Sequence, residues 1–197
     1  MHSRRAFNLL SLLCALGAAL FSSTVSRADA LDGVLEVRSA YATIDQGVFQ
    51  LFARVIYPVN DDIRAALKDG LTLTFDLDVV VSRERRFWMD ETVREVSLKR
   101  ELTYHAVSDR YVTRDVDPPN GTEQRSFATL EEALEALGTV EAWPFLLSNQ
   151  LTGTRQYRVS LRAGVRRGRL PDTLRVLLFW TDDWHRESEW FSWSLQR

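Results

Sequence analysis

Leu71-Thr72-Leu73-Thr74-Phe75-Asp76-Leu77-Asp78-Val79-Val80-Val81 is the stretch on which the fold turns. Apolar side chains occupy 71, 73, 75, 77, 79 and 81, with Thr72, Thr74, Asp76 and Asp78 between them. A strand sends successive side chains to opposite faces, so the run predicts one buried face and one wetted face. Residues 156–166 repeat the pattern, with Tyr157, Val159, Leu161, Ala163 and Val165 on one face and Arg158, Ser160, Arg162 and Arg166 on the other. Phe49, Leu51, Ala53, Val55 and Tyr57 form a third such face. Val96, Leu98, Leu102, Tyr104 and Ala106 form a fourth, broken at Arg100. Residues 35–44, 110–116 and 188–195 are the remaining expected strands, the second of them pairing back through a Ser108-Asp109 turn.

Two helices interrupt the strands. Thr129-Leu130-Glu131-Glu132 is a capping box, in which threonine caps the helix and a glutamate three residues on reaches back. Leu130, Ala133, Leu134 and Leu137 follow at helical spacing, and Gly138 reads as the stop. The other helix spans about 61–69, capped by Asn60 or Asp61 and ended by Gly70. Pro118-Pro119-Asn120-Gly121 is a loop. Seven to nine strands joined by turns predict a mainly β fold: an antiparallel two-sheet sandwich, Ig-like or meander, with two short helices on its ends or edge. A single curled sheet is the competing architecture. No linker marks a second domain, so residues 31–197 read as one globular unit.

The bulk numbers agree with a folded domain. Of 197 residues, 45% are hydrophobic and 26% charged, which excludes a disordered tail. A formal charge of -2 argues against a nucleic-acid partner. The first thirty residues read as an address. Arg4 and Arg5 precede an apolar run over 9–21, a polar stretch follows, and Ala28-Asp29-Ala30 places small residues where a leader peptidase cuts. The apolar run is short of the roughly 20 residues of a membrane span, although an uncleaved anchor is the alternative. Cleavage after Ala30 would remove Cys14, the one cysteine, and take the formal charge from -2 to -4 through loss of Arg4, Arg5, Arg27 and Asp29. The expected product is periplasmic, without disulfides, thiolate nucleophiles or cysteine metal sites.

No motif for catalysis emerges. Beyond the leader, His105 and His185 are the only histidines, and neither has metal-ligand spacing. The serine-nucleophile elbow and the phosphate-binding glycine loops are missing. Asp76 and Asp78 share a strand face, as a glycosidase pair might, but alternating Thr and Asp on such a face is ordinary solvation. Asp182-Asp183 falls short of a calcium loop. Asn120-Gly121-Thr122 is a glycosylation sequon on paper and a turn in a bacterial protein. The reading therefore assigns no catalytic residue, metal or cofactor.

Two features point to binding. Arg158, Arg162 and Arg166 project from one strand face, and guanidinium rows suit phosphate, carboxylate or anionic glycan. Acidic neighbours across the sheet would make the same row a solvated face. In the C-terminal segment, four of the six tryptophans lie within residues 180–193, Trp184, Trp190 and Trp193 among them. Trp190, Ser192 and Ser194 fall on one strand face and Phe191, Trp193 and Leu195 on the other. One aromatic face is core; the second is either covered or a binding surface.

The ending Trp184…Ser188…Trp190…Trp193, preceded by Leu170-Pro171 and Leu174-Arg175, resembles the DUF4390 family of secreted proteobacterial proteins. The resemblance covers essentially the whole chain after the leader. It implies no activity and no catalytic residue. Members are often encoded beside a membrane sensor histidine kinase of the nitrogen-regulation type, which implies an envelope-facing accessory role. The expectation is thus a non-catalytic periplasmic binding or adaptor protein using Trp184, Trp190 and Trp193, its partner an envelope protein such as a sensor kinase's periplasmic region. The alternative is a binder of anionic envelope glycan or lipid headgroup through Arg158, Arg162 and Arg166. A hydrolase with dispersed carboxylates or His185 is the third reading.

Overall fold

The deciding stretch forms β3 (Leu73–Arg83), and it is central. A computed structural model describes residues 31–85, 90–116, 124–152, 156–168 and 185–195. The leader, the Pro118–Gly121 loop, Asp182-Asp183 and Trp184 lie outside them. Leu73, Phe75, Leu77, Val79 and Val81 are buried, and Asp76 and Asp78 sit on the opposite face.

Around β3, the chain builds two antiparallel sheets. The smaller contains β1 (Glu36–Asp45), β2 (Val48–Ile56) and β7 (Thr139–Leu147), in the order β1-β2-β7. The larger adds β4 (Glu91–His105), β5 (Arg110–Asp115), β6 (Gln124–Phe127), β8 (Tyr157–Arg167), β9 (His185–Glu187) and β10 (Phe191–Leu195). Its order is β10-β8-β3-β4-β5-β6, with β9 on the same edge of β8 as β10. From β3 to β6 it is a meander. Two helices, α1 (Asp61–Lys68) and α2 (Leu130–Gly138), complete a mainly β two-sheet sandwich.

Local chemistry explains the joints. Gln46 and Gly47 both have positive φ between β1 and β2, the requirement of a two-residue hairpin turn that matches strand twist. Asn60 caps α1 by accepting from the Ile63 N–H at 2.7 Å. At the other end Gly70 takes φ +88°, its N–H bonding to Leu67 and that of Leu71 to Ala66, a helix stop that needs glycine's freedom. Thr129 and Glu132 close the expected capping box.

Gly138 ends α2 for a different reason from the one its position suggests. It is the last helical residue and is followed directly by strand, without a left-handed residue. Any Cβ there would overlap the Val55 carbonyl oxygen, so glycine is what lets α2 lie on β2.

Several strand readings need correction. β4 is not broken at Arg100; it runs unbroken through fifteen residues. Arg100 keeps the inward phase of Leu98 and Leu102, opposite Phe75. The final strand starts at Phe191 rather than at 188, and β9, which was not expected, precedes an unpaired stretch at Ser188–Trp190. Ser188 bridges the gap, its N–H donating to Ala163 O at 2.8 Å while its hydroxyl accepts from Ala163 N–H at 3.0 Å. And neither the four-residue β6 nor β7 was anticipated; in β7, Pro144, two register irregularities against β2 and the positive φ of Ala142 erase the alternation. Being at a sheet edge, β7 accommodates a proline that a central strand would reject.

One core joins both sheets and both helices. Phe49, Leu51 and Val55 from β2 meet the buried faces of β3 and β8, and Ile63 and Leu67 of α1 and Leu130, Leu134 and Leu137 of α2 belong to the same cluster. α2 packs on β2 and β7 of one sheet and on β5 and β6 of the other, bridging them. Arg64 on α1 reaches Glu131 on α2 at 2.6 Å. No helix among the described residues is long and apolar enough to cross a membrane.

Candidate functional site

The outward face of the larger sheet carries the arginine row. β8 and β3 are in register there: Arg162 stands opposite Asp78, and Arg166 opposite Thr74, one step from Asp76. Arg166 meets Asp76 at 2.8 Å. Arg162 lies 2.6 Å from Glu187 on β9 and 3.7 Å from Asp78. Arg158 donates to Glu84 at 3.1 Å through Nε. Every arginine of the row therefore has a carboxylate partner, and Asp78 also accepts from Ser97. The salt bridges are part-exposed, where each contributes little to stability, but together they spread the charge of the row over both signs.

The tryptophans divide between faces. Trp193 stands opposite Val159 on the inner side, half-buried against the core, its ring 6.0 Å from that of Phe191. Trp190 is on the outer side and 45% exposed. Its ring lies 4.6 Å from the Arg162 guanidinium, a cation–π contact. The arginine row and the tryptophan segment thus meet at one point, Trp190 over Arg162. Arg158 and Arg166 bracket that point along β8, four residues away on either side. Beside it, Ser192 and Ser194 are exposed on β10, and Ser192 shares a 2.8 Å hydrogen bond with Ser160. β10 is the edge of the sheet, so the backbone groups on its outer side have no neighbouring strand among the described residues.

The other candidates are dispersed. His105 is exposed beside the β4–β5 turn, 2.9 Å from the Ser108 hydroxyl. His185 is 3.5 Å from Glu187. Asp76 and Asp78 are engaged as described above. No group of three or more potential metal ligands gathers among the described residues.

One feature was missed by sequence reasoning. Arg100 is 5% exposed and donates to the Leu137 carbonyl, with Ala136 O and Thr139 O each at 3.4 Å. Ala136 and Leu137 carry two of the carbonyls left without helical partners where α2 ends, Thr139 is the first residue of β7, and α2 has no basic residue in its own last turn. Burial lowers the Arg100 pKa, with Tyr57 and Asp115 opposing that shift. A cavity of about 600 Å³ opens beside it, lined by Phe127 and Trp143 and by Arg125, Asp115 and Glu135 among its charged groups. The available signal was an arginine in an inward slot of an alternating strand.

Comparison with known proteins adds one finding. The model of the family described as Domain of unknown function (DUF4390) matches residues 33–194. No curated protein and no solved structure matches the chain. The match takes in both sheets, both helices and the Trp190–Arg162 contact, and the chain belongs to the DUF4390 family.

Proposed function

We propose that this protein is a non-catalytic binding or adaptor module of the bacterial envelope, docking on an extended segment of a partner protein along β10. The observation that carries the reading is Trp190, half-exposed and held over Arg162 at the start of a sheet edge that no other strand pairs among the described residues. Tryptophan and arginine are the residue types that most often dominate binding energy, and an open edge accepts a further strand by backbone hydrogen bonds. The leader-like first thirty residues support an envelope location, and the family's association with sensor kinases makes a kinase periplasmic region the first partner to examine. The arginine row serves this reading better than it serves an anionic glycan or lipid headgroup, because Arg158, Arg162 and Arg166 each already hold a carboxylate.

The test is crosslinking in intact cells with the chain tagged after Arg197. An envelope protein should co-purify, and Trp190→Ala should reduce its recovery at least about tenfold, the effect of a strong anchor, while circular dichroism stays unchanged. Capture unaffected by Trp190→Ala, or no envelope protein at all, overturns the reading.

A further inference from the structure

The smaller sheet ends at β1 in a way that proteins ordinarily avoid. β1 pairs with β2 along one side and with no other strand among the described residues. An unpaired edge is a template for another strand, and natural sheets blunt it with charge, proline, a bulge or brevity. The other edges are short or disrupted. β7 carries Pro144 and two register irregularities, β6 is four residues long, and the edge shared by β9 and β10 is interrupted at Ser188–Trp190. β1 is ten residues long, and its one register irregularity lies between Val37 and Ser39. Beyond that point, Ser39-Ala40-Tyr41-Ala42-Thr43-Ile44 contains neither charge nor proline nor glycine and keeps regular register with β2. β1 passes beside β8 and β10 of the other sheet, yet Ser39, Tyr41, Thr43 and Ile44 are exposed, Tyr41 and Ile44 at 55% each.

The same run is complementary to itself when reversed. A two-fold axis pairs two copies of one strand antiparallel, and directly opposed residues then share a face. With the axis at Ala42, Tyr41 stands opposite Thr43 of the second copy, Ala40 opposite Ile44, and Ser39 opposite Asp45. On the outer face an aromatic ring meets a β-branched side chain, a favourable cross-strand pair, and Tyr41 already stacks on Phe52 at 5.0 Å there. On the inner face Ile44 covers the small Ala40. Charge agrees with size. Arg38, held by Glu36 at 2.8 Å, comes beside Asp45 of the second copy, once at each end of the paired strands. Asp45 has no ion-pair partner of its own among the described residues. A parallel pairing in register would set Arg38 against Arg38 instead.

We propose that the protein associates with a second copy of itself through β1, joining the two smaller sheets across a two-fold axis into one sheet of order β7-β2-β1-β1-β2-β7. Backbone hydrogen bonds along the edge supply affinity, and the fit of alternate side chains sets the register. The exposed ion pairs at the two ends contribute little energy, but they disfavour registers that oppose like charges. The dimer covers Tyr41 and Ile44, the two most exposed apolar side chains of β1. It rests on β1 alone and is separate from the docking of a partner segment along β10.

Sedimentation velocity on protein expressed from the full coding sequence tests the proposal, and a concentration-dependent monomer–dimer equilibrium is expected. Thr43→Lys puts a lysine of each copy into the seam, the device by which natural edges resist pairing, and should weaken association at least about tenfold. Residue 43 is exposed, so circular dichroism should not change. Arg38→Asp opposes acids at both ends and should weaken association about fivefold. Adding Asp45→Arg to it should return the dimer to within about twofold of wild type, a rescue that requires the two positions to meet across the axis. Trp190→Ala should leave the dimer intact, which separates this test from that of the adaptor reading. The proposal is overturned by a protein still monomeric at about 100 μM, above the micromolar-to-picomolar range of standard interfaces. A dimer indifferent to Thr43→Lys, a charge reversal that fails to rescue, or a dimer lost on Trp190→Ala overturns it equally.

Discussion

Arg100 shows how one side chain settles a helix end. Its strand places it on the inner face, where an unpaired charge would be costly, and the terminal carbonyls of α2 supply acceptors. Arg100→Leu removes the donor and leaves those carbonyls buried. We expect a loss of about 3 kcal/mol in urea unfolding, and Arg100→Lys should recover only part of it, because an ammonium cannot span three carbonyls as a planar fork does. Tyr57 makes a second residue-scale prediction. Its hydroxyl pKa is pushed up to about 12 from 10.0, first by burial, with Asp76 adding and Arg100 opposing. A raised folded pKa favours the protonated form in the native state. Its contribution is complete below the unfolded pKa and is lost as pH climbs from 10 towards 12. Tyr57→Phe keeps the edge-to-face contact with Phe75, at 4.7 Å between rings. Across that window the wild type should therefore lose roughly 2–3 kcal/mol more than Tyr57→Phe, measured by denaturant unfolding at each pH.

At the scale of elements, the junction of β9 and β10 is where the candidate surface is set. Both strands lie on one edge of β8, and their pairing with it shifts by one residue across the interruption, beyond which Trp190 lies on the outer side and Trp193 against the core. Ser188 holds the interruption by serving the Ala163 backbone twice. Ser188→Ala leaves the buried Ala163 N–H without its acceptor. The expected cost is about 1–2 kcal/mol, with faster hydrogen exchange at Ala163 and a shift in Trp190 fluorescence. Unchanged exchange at Ala163 would show that the serine does not hold this edge. The same strand accounts for what could be read in advance. Alternation located residues 188–195 and assigned Trp190 and Trp193 to opposite faces. It could not show the break, because β9 and β10 are offset from each other by one residue in their pairing with β8, a register that exists only once the strands are paired.

At the scale of the whole molecule, a single core crosses from one sheet to the other, with α2 seated on both. Far-ultraviolet circular dichroism and tryptophan fluorescence should therefore report coincident urea transitions. Separate midpoints would mean that the sheets unfold as independent units.

Sequence by itself determined the mainly β character, the inward and outward faces of β3 and β8, both helix starts and the Gly70 stop. Each depends on the geometry of a few consecutive residues, which side-chain period and capping chemistry encode directly. Tertiary structure alone decided the strand order, the burial of Arg100 at the end of α2, and the pairing of the arginine row with Glu84, Asp76, Asp78 and Glu187. These depend on neighbours far apart in the chain: Arg166 and Asp76 are 90 positions apart, and Arg100 and Leu137 are 37 apart. Parity says which way a side chain points; only the register of paired strands says what it meets.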